Sequence, residues 1–329
     1  MSATEDTYKG ESYTKKFARV FLWSAVSKLS GIVGSSIDEG VKLVLASREC
    51  GDIAFLLGGN CVPADIVAVD VVPDALAEAR RRFPGVQTEI GDIADVAGRL
   101  KRRVRHAFVD FCGPVGPKTI DTFFRTAVRS AEDGAIFAIG VMRGRERGRI
   151  GKDIAKEKAE VDYLVETGTR DPRLPDPSRG IALDRELFVR GLAARCMLLP
   201  FHSIQYHSRS ALAGGVPMLI KIYRVYRETR GINRRAFGQR SLDRWQREVD
   251  SWNRANGKDR WSVDGATTAI IHDQMTDETV RKVLLDLAAK WTRDQIARPE
   301  LLLNVSPGTL AAWRAHATRG TYDETEAAE

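Results

Sequence analysis

Between Val41 and Val141 short apolar runs alternate with amphipathic stretches, and this rhythm constrains the fold more than any other feature of the chain. The runs are Val41–Ala46, Ile66–Val72, Val86–Glu89, His106–Phe111 and Gly134–Val141. Each has the length of a strand buried on both faces of a sheet. Between them Asp52–Leu57, Pro73–Phe83, Ile93–Leu100 and Pro117–Ala131 read as helices. Two of these open on proline, whose missing N–H costs nothing in a first turn. Such β-α-β-α order with short links predicts an α/β domain built on a doubly wound, mostly parallel sheet. Residues 13–33 add a helix before it, and Leu183–Arg195 another helix after it. Met197–Tyr206 and Met218–Tyr226 read as an antiparallel hairpin that closes the sheet's edge and brings the strands to seven. The stretch 143–180, charged and rich in Gly and Pro, reads as an inserted, lid-like crossover. The domain therefore spans 1–230.

Doubly wound sheets hold ligands outside the carboxyl ends of their strands. Three acids stand at such ends. Asp70 closes the second strand and precedes Val71; its two acceptor oxygens suit the paired hydroxyls of a ribose. Asp92 follows the third strand in Gly91-Asp92-Ile93, where a carboxylate can accept from an exocyclic amine. Asp110 ends the fourth strand and opens into Phe111-Cys112-Gly113-Pro114. Acids at strand ends also serve as helix caps, so it is the ordered set that carries information.

In that order, Val44-Leu45-x-x-x-Glu49-Cys50-Gly51-Asp52, Ile66–Asp70, Gly91-Asp92-Ile93 and Val109–Pro114, the chain over residues 8–230 resembles the class I S-adenosylmethionine-dependent methyltransferases. The resemblance implies S-adenosyl-L-methionine as cofactor. It places Ala46, Ser47, Glu49 and Gly51 near the methionine part and Asp70, with Val71, at the ribose. Asp92 and Ile93 fall at the adenine, and Asp110 lies at the cofactor and beside the acceptor as the candidate catalytic residue. The first helix resembles one that covers the cofactor. One departure concerns the loop after the first strand. It carries Gly51 alone where the family is glycine-rich, and Arg48 adds bulk and charge. Cys112 is a conceivable nucleophile, but a buried thiol is the simpler reading. His202 and His207 lack acidic partners at ligand spacing.

Charge points to partners. The chain carries a net +7, and between Arg224 and Arg260 there are 11 Lys/Arg against 5 Asp/Glu, with Trp245, Trp252 and Trp261 interleaved. Basic charge can meet phosphate and aromatic rings can stack on bases, or the tryptophans can bury against the main domain. Residues 231–270 thus form a basic linker or extension. A small all-α module follows at 271–322, and 323–329 is an acidic tail. Within that module Ser306 suits an N-cap and Pro307 a first helical position. Residues 276–322 resemble a helix-turn-helix, although Pro299 interrupts its first helix. The resemblance implies Thr309, Arg314, His316 and Arg319 as nucleic-acid contacts. Four cysteines without C-x-x-C spacing imply reduced thiols, with no metal and no disulfide. No apolar run of about 20 residues predicts a membrane span. The polar start of the chain, unlike a signal peptide, implies a cytoplasmic location. The expectation is a methyltransferase acting on nucleic acid, DNA ahead of RNA, with a homodimer allowed. Two alternatives stand beside it. One is a catalytically inactive DNA-binding regulator on the same fold. The other is a small-molecule or protein methyltransferase whose last helices dimerise.

Overall fold

The computed structural model describes residues 13–32, 34–144, 146, 148–169, 176–210, 213–228, 233–256, 261–263 and 269–272. Helix α1 (Tyr13–Ile32) leads into the alternating unit. This comprises β1 (Val41–Leu45), α2 (Gly51–Gly58), β2 (Ile66–Asp70), α3 (Pro73–Arg82), β3 (Gln87–Ile90), α4 (Ile93–Ala97), β4 (Val104–Pro114), α5 (Pro117–Ser130) and β5 (Ala131–Met142). Then come α6 (Gly148–Glu166), α7 (Ser178–Ala194), β6 (Cys196–Ser210), β7 (Ala213–Arg227), α8 (Arg234–Asn256), β8 (Trp261–Val263) and β9 (Ala269–His272).

The sheet runs β3-β2-β1-β4-β5-β7-β6-β9-β8. The first five strands are parallel, with β1 central: Val44 lies level with Ala68 of β2 and with Phe108 of β4. Strand β7 enters antiparallel between β5 and β6. These seven strands are the ones expected. The edge differs, however: the β6–β7 hairpin does not end the sheet, because β9 pairs with β6 and β8 pairs with β9.

Strands buried on both sides favour near-continuous apolar runs, and β1 and β2 (VKLVL and IVAVD) supply them apart from the buried Lys42, whose ammonium donates to the Asp38 carbonyl, and Asp70 at the carboxyl end. One core lies between the sheet and α1, α2, α3 and α8, with Trp23, Trp245 and Tyr226 among its large side chains. The other holds Phe123, Phe124 and Tyr223 under α4, α5, α6 and α7. The charged stretch 143–180 contains a regular helix where a lid-like crossover was expected. In α6 the buried residues Ile150, Ile154, Glu157 and Val161 recur at helical spacing, and Glu157 pairs with Arg185 of α7 at 2.7 Å.

Within the segment expected as a linker or extension, 231–270, α8 packs on β6, α1 and α7. Trp245 and Trp252 are buried, and the Trp245 indole donates to the Pro200 carbonyl at 2.9 Å. Those two tryptophans serve the core and not base stacking, because their ring faces are already covered. The helix-turn-helix expectation, with Thr309, Arg314, His316 and Arg319, falls outside the described residues. No described helix is long and apolar enough to cross a membrane.

Candidate functional site at the strand carboxyl ends

A cavity of about 420 Å³ opens at the carboxyl ends of the parallel strands. Leu45, Ala46 and Ser47 line it from the end of β1, and Asp70 and Val71 from the end of β2. Gly91, Asp92 and Ile93 follow β3, while Asp110 through Gly113 belong to the carboxyl-terminal part of β4. The residues expected from the sequence therefore meet, except two. Glu49 and Gly51 do not line the cavity. The Glu49 carbonyl accepts from Arg82 at 2.8 Å, and Gly51 is covered by the Arg19 guanidinium. Arg48, the bulky departure in the first loop, is exposed and also outside the lining, so its side chain takes no space from the cavity.

Asp70 and Asp92 each do a local task. Asp70 accepts from the Val72 N–H at 2.9 Å, which shapes the turn into α3. Burial pushes its carboxyl above the ordinary value, against the pull of the Val72 and Val71 amides. Asp92 caps α4 by accepting from the Ala94 N–H at 2.9 Å. Both acids still face the cavity, because a cap uses one of a carboxylate's two oxygens. Gly91 joins them: its φ of 141° is a conformation that side-chain-bearing residues rarely adopt, and its N–H donates to the Asp70 carbonyl at 3.0 Å.

At the β4 end Asp110 is ion-paired. Its Oδ2 lies 3.0 Å from Lys15 Nζ, and its Oδ1 accepts from the Cys112 N–H at 3.3 Å. Burial alone would raise its carboxyl, but the Lys15 ammonium and the Cys112 hydrogen bonds hold it below the ordinary value. Gly140 on β5 makes room, since a Cβ there would sit 2.8 Å from Asp110 Oδ1. Burial and the Asp110 carboxylate push the Cys112 thiol up to about 12. It stays protonated and is a poor nucleophile, although it is only half-buried and lines the cavity, unlike the three buried cysteines. Tyr206 of β6 is buried near this group, and burial together with the Asp110 charge raises its hydroxyl well above the ordinary value. Among the described residues no group of three His, Cys, Asp or Glu could hold a metal ion.

Sequence reading missed Lys15 and Arg19 on α1 and Asp52 on α2 as lining residues. The usable signal was charge at i and i+4, Lys15 and Arg19, leading to Trp23 on the apolar side of a helix. Lys118, Thr119 and Thr122 from the first turns of α5 complete the wall.

An order of β3-β2-β1-β4-β5 with an antiparallel β7 inserted before β6, and a cavity at the strand carboxyl ends, decides the architecture. The fold is that of the class I methyltransferases.

No family model matches the chain, and no curated protein matches it either. Solved structures that it is similar to include an rRNA methylase from Streptococcus thermophilus. That likeness has 14% identity, 62% of this chain and 95% of that one covered, and a TM-score of 0.32. Another is the N-methyltransferase NodS from Bradyrhizobium japonicum with S-adenosyl-L-homocysteine, at 14% identity, 68% and 93% coverage and a TM-score of 0.40. Likeness at these values transfers nothing to this chain.

Proposed function

We propose that this chain is an S-adenosyl-L-methionine-dependent methyltransferase whose acceptor is nucleic acid, DNA ahead of RNA. The observation that carries the cofactor is the shared cavity of Asp70 and Asp92, at the ends of the neighbouring strands β2 and β3. The donor set fits an adenosine: one carboxylate for paired ribose hydroxyls, a second for an exocyclic amine, and Ile93 and Val71 as apolar neighbours of a base. Ala46 and Ser47 are small enough to let a ligand approach the end of β1. When bound, the cofactor supplies a methyl group already activated by its sulfonium.

The chain's own residues bind and orient. Asp70 and Asp92 fix the nucleoside, and α1 walls the cavity through Lys15 and Arg19. Asp110, kept ionised by Lys15, presents fixed negative charge to the reaction end and is poorly suited to taking a proton. The polymer is supported by the net charge of +7 and by the outer face of α8. There Arg235, Arg240, Arg247 and Arg254 are exposed, alongside the exposed acids Asp243 and Asp250. Phosphate contacts of that kind position a nucleic acid without reading its sequence. The helix-turn-helix resemblance at 276–322 is what puts DNA ahead of RNA.

Calorimetry tests the cofactor. The full chain should bind S-adenosylhomocysteine, and Asp70→Ala should weaken binding by ~10- to 100-fold, as loss of hydrogen bonds to a charged group does. A wild-type chain that binds neither S-adenosylmethionine nor its product would end this reading.

A further inference from the structure

Helix α5 begins at Pro117 with no side chain capping its first turn and no acid in that turn. Proline has no N–H, and the Ile120 N–H takes the Gly116 carbonyl at 3.0 Å. The N–H groups of Lys118 and Thr119 are therefore left at the positive end of the helix dipole. A capping side chain would fit. Gly116 has an extended φ of −152°, which any residue adopts, and a Cβ there would meet nothing within 4 Å. Helices favour Ser, Thr, Asp or Asn at such a position. The uncapped turn opens on the cavity, which Lys118, Thr119 and Thr122 all line.

Thr122 independently points to a ligand. Thr122, Thr126 and Ser130 follow one another at i+4 along α5, and all three are buried. The Thr126 hydroxyl donates to the Thr122 carbonyl and the Ser130 hydroxyl to the Thr126 carbonyl, each at 2.7 Å. The Thr122 hydroxyl makes no such bond. It has no partner among the described residues, although Thr122 is only 7% exposed. Helical side chains lean towards the N-terminus, so this hydroxyl points to the turn that carries Lys118. A buried hydroxyl without a partner is costly. Lys118 is exposed and pairs with no acid among the described residues, whereas Lys15 and Arg19 on the same cavity are held by carboxylates.

Two N–H groups, a hydroxyl and an ammonium thus stand on one wall, and all can donate to an anion. The Thr119 hydroxyl is not among them, because it donates to the Pro114 carbonyl at 3.2 Å. An adenosine carries no anionic group, and the methionine part is expected at the end of β1. The anion therefore belongs to another molecule. We infer that the first turn of α5, with Lys118 and Thr122, binds a backbone phosphate of the acceptor strand and so holds the target nucleotide beside Asp110. This site rests on the nucleic-acid reading above, and the test separates the two.

Fluorescence anisotropy on the full chain, with labelled duplex DNA and single-stranded RNA of mixed sequence, tests it. Gly116→Asp brings a carboxylate to the two N–H groups. It should keep or raise the unfolding temperature, yet weaken oligonucleotide binding by about 10-fold. Lys118→Gln should weaken binding by about 3- to 10-fold and lower the slope of log affinity against log salt by about 1. Thr122→Val, which keeps the shape and loses the hydroxyl, should weaken it by about threefold. All three variants should bind S-adenosylhomocysteine within about twofold of wild type. Unchanged oligonucleotide affinity and salt slope in Gly116→Asp and Lys118→Gln overturn the inference and leave the nucleic-acid reading standing. An equal loss of S-adenosylhomocysteine affinity also overturns it, by assigning the turn to the cofactor. Displacement by polyglutamate as readily as by unlabelled oligonucleotide overturns it in favour of an acidic protein acceptor. Failure of wild type to bind either oligonucleotide removes the nucleic-acid reading, and this inference with it. Inorganic phosphate that still binds wild type but not Gly116→Asp would then assign the turn to a small phosphorylated acceptor.

Discussion

His106 shows how much one buried side chain decides. It lies on β4, and its Nε2 is 2.9 Å from Ser30 Oγ of α1. Ser30 donates its own hydrogen to the Val26 carbonyl, so the imidazole must be the donor at Nε2 and neutral at Nδ1. Burial, with the Lys42, Arg105 and Arg224 charges, lowers its value to about 3. The sign follows from linkage. Below about pH 6.5 the unfolded chain takes up a proton that the folded chain refuses, so stability is full above that value and falls as pH drops towards 3. Between pH 7 and pH 4 the loss from this residue is about 3 kcal/mol. His106→Gln, which cannot titrate, should flatten the decline of urea-unfolding free energy over that range by a similar amount, and an unchanged slope would refute the assignment. Asp110 responds elsewhere: its carboxyl is depressed, so its contribution is lost only below the ordinary carboxylate value of 3.8.

At the scale of elements, α8 and α6 were the hardest to place from sequence. In α8 the arginines suggest a surface that meets phosphate, and its outer face is indeed basic, yet its inner face carries Phe237, Leu242, Trp245, Val249 and Trp252 into the core. The helical period of those residues was present in the sequence; what was hidden was that α1 and β6 offer a surface to receive them. Trp245→Ala should cost on the order of 3–5 kcal/mol, since it removes a large buried ring and leaves the Pro200 carbonyl without its donor. Thermal or denaturant unfolding would measure it, and a loss below about 1 kcal/mol would show that α8 is only loosely applied. In α6 the charged residues between Ile150, Ile154 and Val161 masked a regular helical face.

For the whole molecule, the sheet sets where a chain can be cut. Strand β9 pairs with β6 through Ser203–His272, so a truncation that spares the sheet removes 273–329 and not 271–329. That truncation should keep S-adenosylhomocysteine affinity within about threefold while lowering duplex DNA affinity and flattening its dependence on salt, because fewer phosphates are neutralised. Fluorescence anisotropy at several salt concentrations reads this. Unchanged DNA affinity after truncation would assign polymer binding to the α8 face, and no measurable DNA binding by the full chain would remove DNA as the acceptor.

The sequence by itself determined the alternation of strands and helices and the placing of Asp70, Asp92 and Asp110 at strand ends. These depend on periodicity and turn chemistry within a few residues, which local order encodes. The shape of the candidate site depended on contacts between distant residues. Lys15 reaches Asp110, Arg19 reaches Asp52 and covers Gly51, and Arg48 stays outside the cavity. Tertiary structure decided these, because a charge in a sequence carries no mark of its partner: the pairing exists only once α1 is laid across the end of the sheet and burial makes every unpaired charge costly.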